Sequence, residues 1–389
     1  VGRRAMSMAG AAEAVQELEA WVWECGGYIS DAVSIRCGGG RAEGEDGGTC
    51  ERGAFAGPDG LPREQDVCRL PQRLLLTESH AQATLPFGEG LREAAEQLHP
   101  QSAGLLLLSA KLLWDGAPRL AGAAGAATGR DADATFFRPY YRALSPDLSN
   151  LPALWPAECP PRGPLKGTRL ERLLRAKRHA LGLEFALLQS CAPGLGSSLQ
   201  EYLWARGSVS SRAYALQVDG RCQRCLVPWA DLLNHGGQGA VSVHYAFRGA
   251  AEPGAGCFVM RSGAGGGAAH REVLQSYGPK KSNASLLLDY GFVLRPAQGG
   301  AGGPAGLAGD AEAALIVRFP AQGDTGGAGS SGGGGDDAVA AVRLRLWRAA
   351  RRPLTGASVD VTCSSPGPLF ALLRVATAGP AEAEALERS

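Results

Sequence analysis

The sequence predicts an α+β fold in which a β-rich domain is interrupted by an all-helical insertion. Three observations carry that reading. Short strand-like runs stand near the start, at 33–36, 68–71 and 74–77. A block from about 91 to 216 then repeats apolar residues at helical spacing. Strand-like alternation returns between 226 and 276. Strands on both sides of one helical block are what an insertion into a β domain produces.

The elements follow in order. Ala11, Ala14, Val15, Leu18, Trp21, Val22 and Cys25 recur at helical spacing, and Gly26-Gly27 stops that helix. Gly53, within Arg52-Gly53-Ala54-Phe55-Ala56, permits a close backbone approach, either to a ligand or across an ordinary hairpin. Residues 91–113 read as helix, and an aromatic and proline-rich segment runs from Phe136 to Pro156. Leu170, Leu173, Leu174, Leu181, Phe185 and Leu188 share one face of a long helix. Arg172, Arg175, Lys177 and Arg178 populate its other face, which reads as solvated rather than as a nucleic-acid footprint. Residues 202–205 and 208–216 continue as helix. Residues 226–228 form a strand leading to Asn234-His235. Residues 241–247 and 257–261 alternate like paired strands, 272–276 make a third, and 283–288 a short helix. Further on, 314–319 is a strand, 339–351 fits either helix or strand, and 368–376 is helical.

Composition narrows the function. Of 389 residues, 45% are hydrophobic and 20% charged, enough apolar material for a sizeable core. A formal charge of +1 gives no global pull toward nucleic acid or an anionic membrane. No apolar run is long enough to span a bilayer. The 10 cysteines have no framework spacing and read as free thiols of a reducing, intracellular compartment, with plastid, cytoplasm and nucleus all open. Cys222-x-x-Cys225 has no second pair and no His at finger spacing, so no metal is assigned. Many of the 56 glycines fall in tracts at 37–48, 121–129, 249–269, 298–309 and 323–335, read as mobile loops or insertions because ordering them costs much backbone entropy. The chain opens at Val1, as a processed or internal end would.

The densest chemistry lies between Leu226 and Arg295. There apolar residues stand directly beside Asp231, Asn234, His235 and Tyr277, polar groups that need partners when buried. Taken singly, each has a plain structural role. Tyr277 reads as a half-buried core tyrosine, His235 as a strand-end cap and Asp231 as a turn cap.

Taken in order, five stretches resemble the SET-domain protein lysine methyltransferases, in the branch of the plant Rubisco large-subunit methyltransferase. They are Arg52-Gly53-Ala54-Phe55-Ala56; Phe137-Arg138-Pro139-Tyr140-Tyr141 with Leu151-Pro152 and Trp155; Trp204-Ala205 with Val209-Ser210-Ser211-Arg212-Ala213-Tyr214; Val227 to His235; and Ser276-Tyr277-Gly278 with Lys281-Ser282-Asn283 and Asp289-Tyr290-Gly291-Phe292. The resemblance implies a β-rich SET domain with a knotted-like C-terminal segment and a helical insertion. A partial C-terminal substrate-binding domain would follow. The boundaries are 1–100 for the first part of the SET domain, 101–200 for the insertion, 201–296 for the second part and 297–389 for a reduced or truncated C-terminal region with Gly-rich linkers. Two departures stand out: Ala54 replaces a larger aliphatic residue, and Ala269-His270-Arg271-Glu272 replaces a Gly-Glu turn.

The activity implied is transfer of a methyl group from S-adenosylmethionine to a lysine of a protein substrate, by a monomer that needs no metal, nucleic acid or membrane. The resemblance assigns Tyr277 as catalyst. It assigns Arg52, Ser211, Arg212, Asp231, Asn234 and His235 to the cofactor, and Tyr214, Asp231, Tyr290 and Phe292 to the substrate lysine. An aromatic tube suits both an aliphatic stem and a methylated cation. Two alternatives stay open: a catalytically silent SET-like module that binds a peptide or partner, and a protein-histidine methyltransferase of the same branch.

Overall fold

Strands from opposite ends of the chain's first three-quarters pair with one another, and this fixes where everything else sits. The computed structural model describes residues 8–37, 52–121, 132–155, 169–237, 239–250, 254–279 and 281–294, plus two strands further on. Helix α1 (Met8–Glu24) is followed by β1 (Tyr28–Ile29), β2 (Val33–Cys37), β3 (Arg52–Ala56), β4 (Asp66–Pro71) and β5 (Leu76–Thr77). The helices come next: α2 (Glu78–Thr84), α3 (Gly88–Leu98), α4 (Ala103–Trp114), α5 (Ala117–Leu120), α6 (Ala132–Phe136), α7 (Arg138–Ala143), α8 (Arg169–Cys191) and α9 (Leu199–Arg212). Then follow β6 (Tyr214–Val218), β7 (Arg221–Leu226), β8 (Val243–Arg248), β9 (Cys257–Ser262) and α10 (Asn283–Tyr290).

The strand order β1-β4-β9-β8 makes one antiparallel sheet, β5-β7-β6 a second and β2-β3 a third. In the first sheet Arg69 faces Val259, and in the second Leu76 faces Leu226. Both sheets therefore join strands from before and after the helices, as the interrupted β domain requires. The backbone divides into two compact units, Val1–Gly299 and Gly300–Ser389. Of the second, β10 (Glu312–Ile316) and β11 (Ser358–Thr362) are described, an antiparallel pair. The expected elements at 339–351 and 368–376, and the glycine tracts at 298–309 and 323–335, lie outside the described residues, as do most of 37–48 and 121–129.

Local chemistry explains the helix ends. Gly26 adopts φ +69°, and Gly26 and Gly27 donate to the carbonyls of Trp23 and Val22, closing α1 with a left-handed cap. Ser198 and Glu201 form a reciprocal capping box at the start of α9. Gly291, at φ +82°, ends α10 between Tyr290 and Phe292.

Four expectations need correction. Residues 214–216 are strand, not helix: α9 stops at Arg212 and β6 starts two residues later. Residues 272–276 form no ladder strand. Their bonds go in turn to β3, to Ser242 and to the 234–236 segment, through Val273 N to Ala54 O (2.7 Å), Ser242 N to Leu274 O (2.8 Å) and Gln275 N to Asn234 O (2.9 Å). The 249–269 tract is not a mobile loop throughout: β9, the strand expected at 257–261, runs through it with Phe258 and Met260 fully buried. The basic face of α8 is not wholly solvated. Lys177 pairs with Asp289 (2.7 Å), and Arg178 donates to the carbonyls of Pro152 and Trp155.

Candidate active site

The site forms where the turn after β7 meets the 272–277 segment. The turn begins under strain. Trp229, fully buried, has φ +68° and ψ −51°, and Ala230 N donates to Pro228 O (2.9 Å) across it, a γ-turn. A bulky residue there costs about 1–3 kcal/mol and persists only where its surroundings hold it. Burial of the indole and its hydrogen bond to Glu19 Oε1 (3.0 Å) do so. The turn aims the carbonyls of Ala230 and Leu233 at one buried side chain. Gln275, 1% exposed, donates Nε2 to Ala230 O (3.1 Å) and Leu233 O (3.0 Å), and its Oε1 accepts from Tyr214 Oη (2.7 Å).

Tyr277 lies against this frame. Its hydroxyl donates to Leu233 O (2.8 Å), and its backbone N–H donates to His235 Nδ1 (3.1 Å). The same Nδ1 also lies 3.3 Å from Gln275 O, so the ring is held between an N–H and a carbonyl. The Tyr277 ring stacks on Tyr290 (4.7 Å between centroids) and on His235 (5.2 Å), with Phe292 edge-on at 6.3 Å. Burial pushes the Tyr277 hydroxyl well above its ordinary range and lowers the His235 imidazole, so both are neutral at pH 7. Burial, then the neighbouring Asp289, takes Tyr290 up to about 12.

Behind Tyr277 sits a buried ion pair. Arg212 Nη1 reaches Asp231 O (3.0 Å) and Oδ1 (3.4 Å), and Tyr140 Oη donates to Asp231 Oδ2 (2.6 Å). Burial raises the Asp231 carboxyl, and Arg212 and Tyr140 pull it only part of the way back. Burial alone would lower the Arg212 guanidinium, but Asp231 and the surrounding tyrosines outweigh it and hold Arg212 above its ordinary value. Arg52 is drawn down to about 10 by burial and by Arg212. Its Nη1 donates to Ala143 O (2.6 Å). Arg212 Nε is buried and has no hydrogen-bond partner among the described residues. Such a donor is rare in a finished core and is the kind of group a ligand satisfies.

A cavity of about 150 Å³ opens beside Arg212, walled by Tyr214, Tyr245, Tyr277 and Tyr290, with Ser211 and Asp231 at its lining. Arg52, Asn234 and His235 stand outside that lining. Asn234 Nδ2 donates to Arg52 O (2.9 Å) and to Glu272 Oε1 (2.8 Å). Its Oδ1 has no partner among the described residues. Gly53 is needed here, since a Cβ would come within 2.5 Å of Glu272 Oε1 and 3.2 Å of Asn234 Nδ2. Its close approach therefore serves the Asn234 side chain directly. His270, which stands where a glycine turn was expected, takes φ +57°.

The structure thus gathers the expected residues into two adjoining groups. Tyr214, Tyr277 and Tyr290 line the cavity with Arg212 and Asp231, while Arg52 and Asn234 are bonded to each other outside it and His235 joins the two by stacking on Tyr277. Phe292 packs on His235 and Tyr277 without lining the cavity. Sequence reasoning missed Gln275, Tyr245 and Glu19 as site-forming residues. It cited Tyr140 in a motif without its role. Tyr245 carried a faint signal, the alternation of 241–247; Gln275 and Glu19 carried none. Cys222 is exposed and Cys225 buried on opposite faces of β7, so the pair does not converge on one ion. Among the described residues no group of three or more His, Cys, Asp or Glu is placed to hold a metal. Among them, too, no helix is long and apolar enough to cross a membrane.

This is a SET-domain fold. Among solved structures, the SET domain of LSMT bound to lysine and AdoHcy matches with a TM-score of 0.63 at 20% identity, covering 96% of this chain and 73% of that one. The same domain bound to methyllysine and AdoHcy matches with a TM-score of 0.61 at 19% identity, over 96% and 73%. Rubisco LSMT bound to AdoMet matches with a TM-score of 0.58 at 18% identity, over 96% and 72%. No protein-family profile and no curated protein matches the sequence.

Proposed function

We propose that the protein is an S-adenosylmethionine-dependent methyltransferase acting on a lysine of a protein substrate. The observation that carries this is the placement of Tyr277, whose hydroxyl stands beside the Leu233 carbonyl at the meeting of two groups of residues. One is a tyrosine-walled cavity; the other is the Asn234–His235 corner. The matched structures hold lysine, methyllysine, AdoHcy and AdoMet, which agrees with a site of that kind.

The residues present fit the donor. The orphaned Arg212 Nε suits a carboxylate, and the open Asn234 Oδ1 suits an ammonium. Arg52 backbone groups and His235 would border the same pocket, and Ser211 its rim. When bound, the donor supplies a sulfonium methyl with a good leaving group already built in. The protein's work is then alignment and desolvation. Tyr214, Tyr245 and Tyr290 would enclose the amine, and Tyr277 would orient it through a hydroxyl kept neutral by burial. Exclusion of water lowers an amine's affinity for its proton, which leaves for solvent at the cavity mouth before attack. The Ala230 and Leu233 carbonyls, fixed by Gln275, would face the polarised methyl.

We read the crossing of 272–277 between β3 and 234–236 as the knot-like segment of the fold. We assign 101–200 as an insertion and the unit after 299 as a reduced substrate-binding region. Equilibrium dialysis with S-adenosylmethionine, followed by a lysine-bearing protein extract, tests the activity. Binding and release of S-adenosylhomocysteine are expected. Binding without release would favour a silent module, and label recovered in methylhistidine would favour the histidine alternative.

A further inference from the structure

The mouth of the tyrosine cavity carries two cations, Arg224 and Lys281. Arg224 projects from β7 and is exposed. It lines the cavity together with Tyr245 and Tyr290, and its charge lowers the hydroxyl of each against the larger upward push of burial. Lys281 Nζ lies 5.2 Å above the Tyr290 ring. Neither cation has a carboxylate within 4 Å among the described residues.

The nearby acids are all engaged, including Glu78, which accepts from the Arg224 backbone N–H (2.5 Å) and pairs with Arg92 (3.3 Å). Asp231 holds Arg212 and Tyr140, Glu272 holds Asn234, and Asp289 is paired with Lys177. A second hollow, of about 410 Å³, shares Tyr245 with the cavity and runs along β8 and β9. His244 and Arg248 line it; Arg261 there is paired with Asp66 at 3.1 Å, and Glu64 stands at the same wall. The approach to the cavity is therefore positive. A lone lysine ammonium is repelled at such a mouth, and one accompanied by carboxylates is not.

We infer that the target lysine lies in an acidic segment, with Asp or Glu side chains beside it received by Arg224 and Lys281. This rests on the reading of the cavity as an amine channel. The specificity would be electrostatic, acting on encounter and binding, and screened by salt.

The test uses three peptides of equal length with one central lysine, flanked by Glu, by Ala or by Arg. Binding is read by fluorescence anisotropy, and methyl transfer by label from S-adenosylmethionine. The Glu peptide is expected to bind roughly tenfold tighter than the Ala peptide at about 50 mM salt, the gap closing near 500 mM. The R224E/K281E double variant should prefer the Arg peptide. K281Q, a smaller change, should halve or better the preference and keeps the test usable should the double variant not fold. Equal binding of all three peptides at low salt overturns the inference. A Glu preference in binding with no transfer to any peptide supports the basic mouth and overturns the amine-channel reading instead. Transfer at equal rates to all three does the reverse.

Discussion

Two neighbouring tyrosines on α7 feed two buried ionic networks, and the networks differ in one respect. Tyr141 donates to Asp115, which pairs with Lys111 (2.8 Å) deep among the helices. Lys111 also reaches Asp133 (3.1 Å), which holds His80 (2.8 Å). Tyr140 donates to Asp231, which pairs with Arg212. The heart of the first network is closed: Lys111 and Asp115 have no exposed side-chain surface, and only its outer members Asp133 and His80 reach partial exposure. The second leaves Arg212 Nε unbonded and abuts a cavity. The same chemistry thus serves stability where it is complete and leaves room for a ligand where it is not. A buried ion pair says little about function until its unspent donors are counted.

Breaking the closed network should have the largest effect. Lys111→Met removes the Lys111 cation from beside buried Asp115 and should cost about 3–5 kcal/mol in urea unfolding. The folded fraction should keep its affinity for S-adenosylmethionine; a lost affinity would join the two networks that the structure separates. In the open network, Arg212→Lys removes the forked guanidinium and its orphaned Nε. Affinity for S-adenosylmethionine measured by calorimetry should fall about tenfold, with only about 1 kcal/mol lost in stability. Glu272→Ala releases the Asn234 amide, and the same titration should show a loss of about threefold, roughly one ordinary hydrogen bond's worth.

The smallest effect concerns the strained turn. Burial raises the Glu19 carboxyl above 4.5, while its bond to Trp229 lowers it somewhat. A carboxyl raised on folding contributes stability that is full below its unfolded value and lost as pH rises through the folded one. Glu19→Gln should therefore flatten the decline in melting temperature just above pH 4.5. An unchanged pH profile would remove Glu19 as its source.

Much of the site was legible because its residues lie in short stretches. Asp231, Asn234 and His235 stand within five residues, and Tyr277, Tyr290 and Phe292 within sixteen. What holds them comes from far away. Tyr140 is 91 residues from Asp231, Tyr214 is 61 from Gln275, and Glu19 is 210 from Trp229. No local pattern encodes such pairings. The overextended helix at 208–216 has a different cause. No Gly or Pro marks the end of α9, and Val209, Ala213 and Leu216 keep helical spacing while Tyr214, Leu216 and Val218 alternate, so tertiary pairing with β7 decides. Residues 272–276 read as a strand but change partners every residue or two, which sequence cannot show.

The central claim is that Tyr277 stands where donor and amine meet. Single-turnover transfer of labelled methyl from S-adenosylmethionine to a lysine peptide, compared between the native chain and Tyr277→Phe, tests it most directly. The account predicts label in methyllysine for the native chain and a rate about a hundredfold lower for the variant, at unchanged donor affinity. Equal rates in the two proteins, or no label in either, would contradict it.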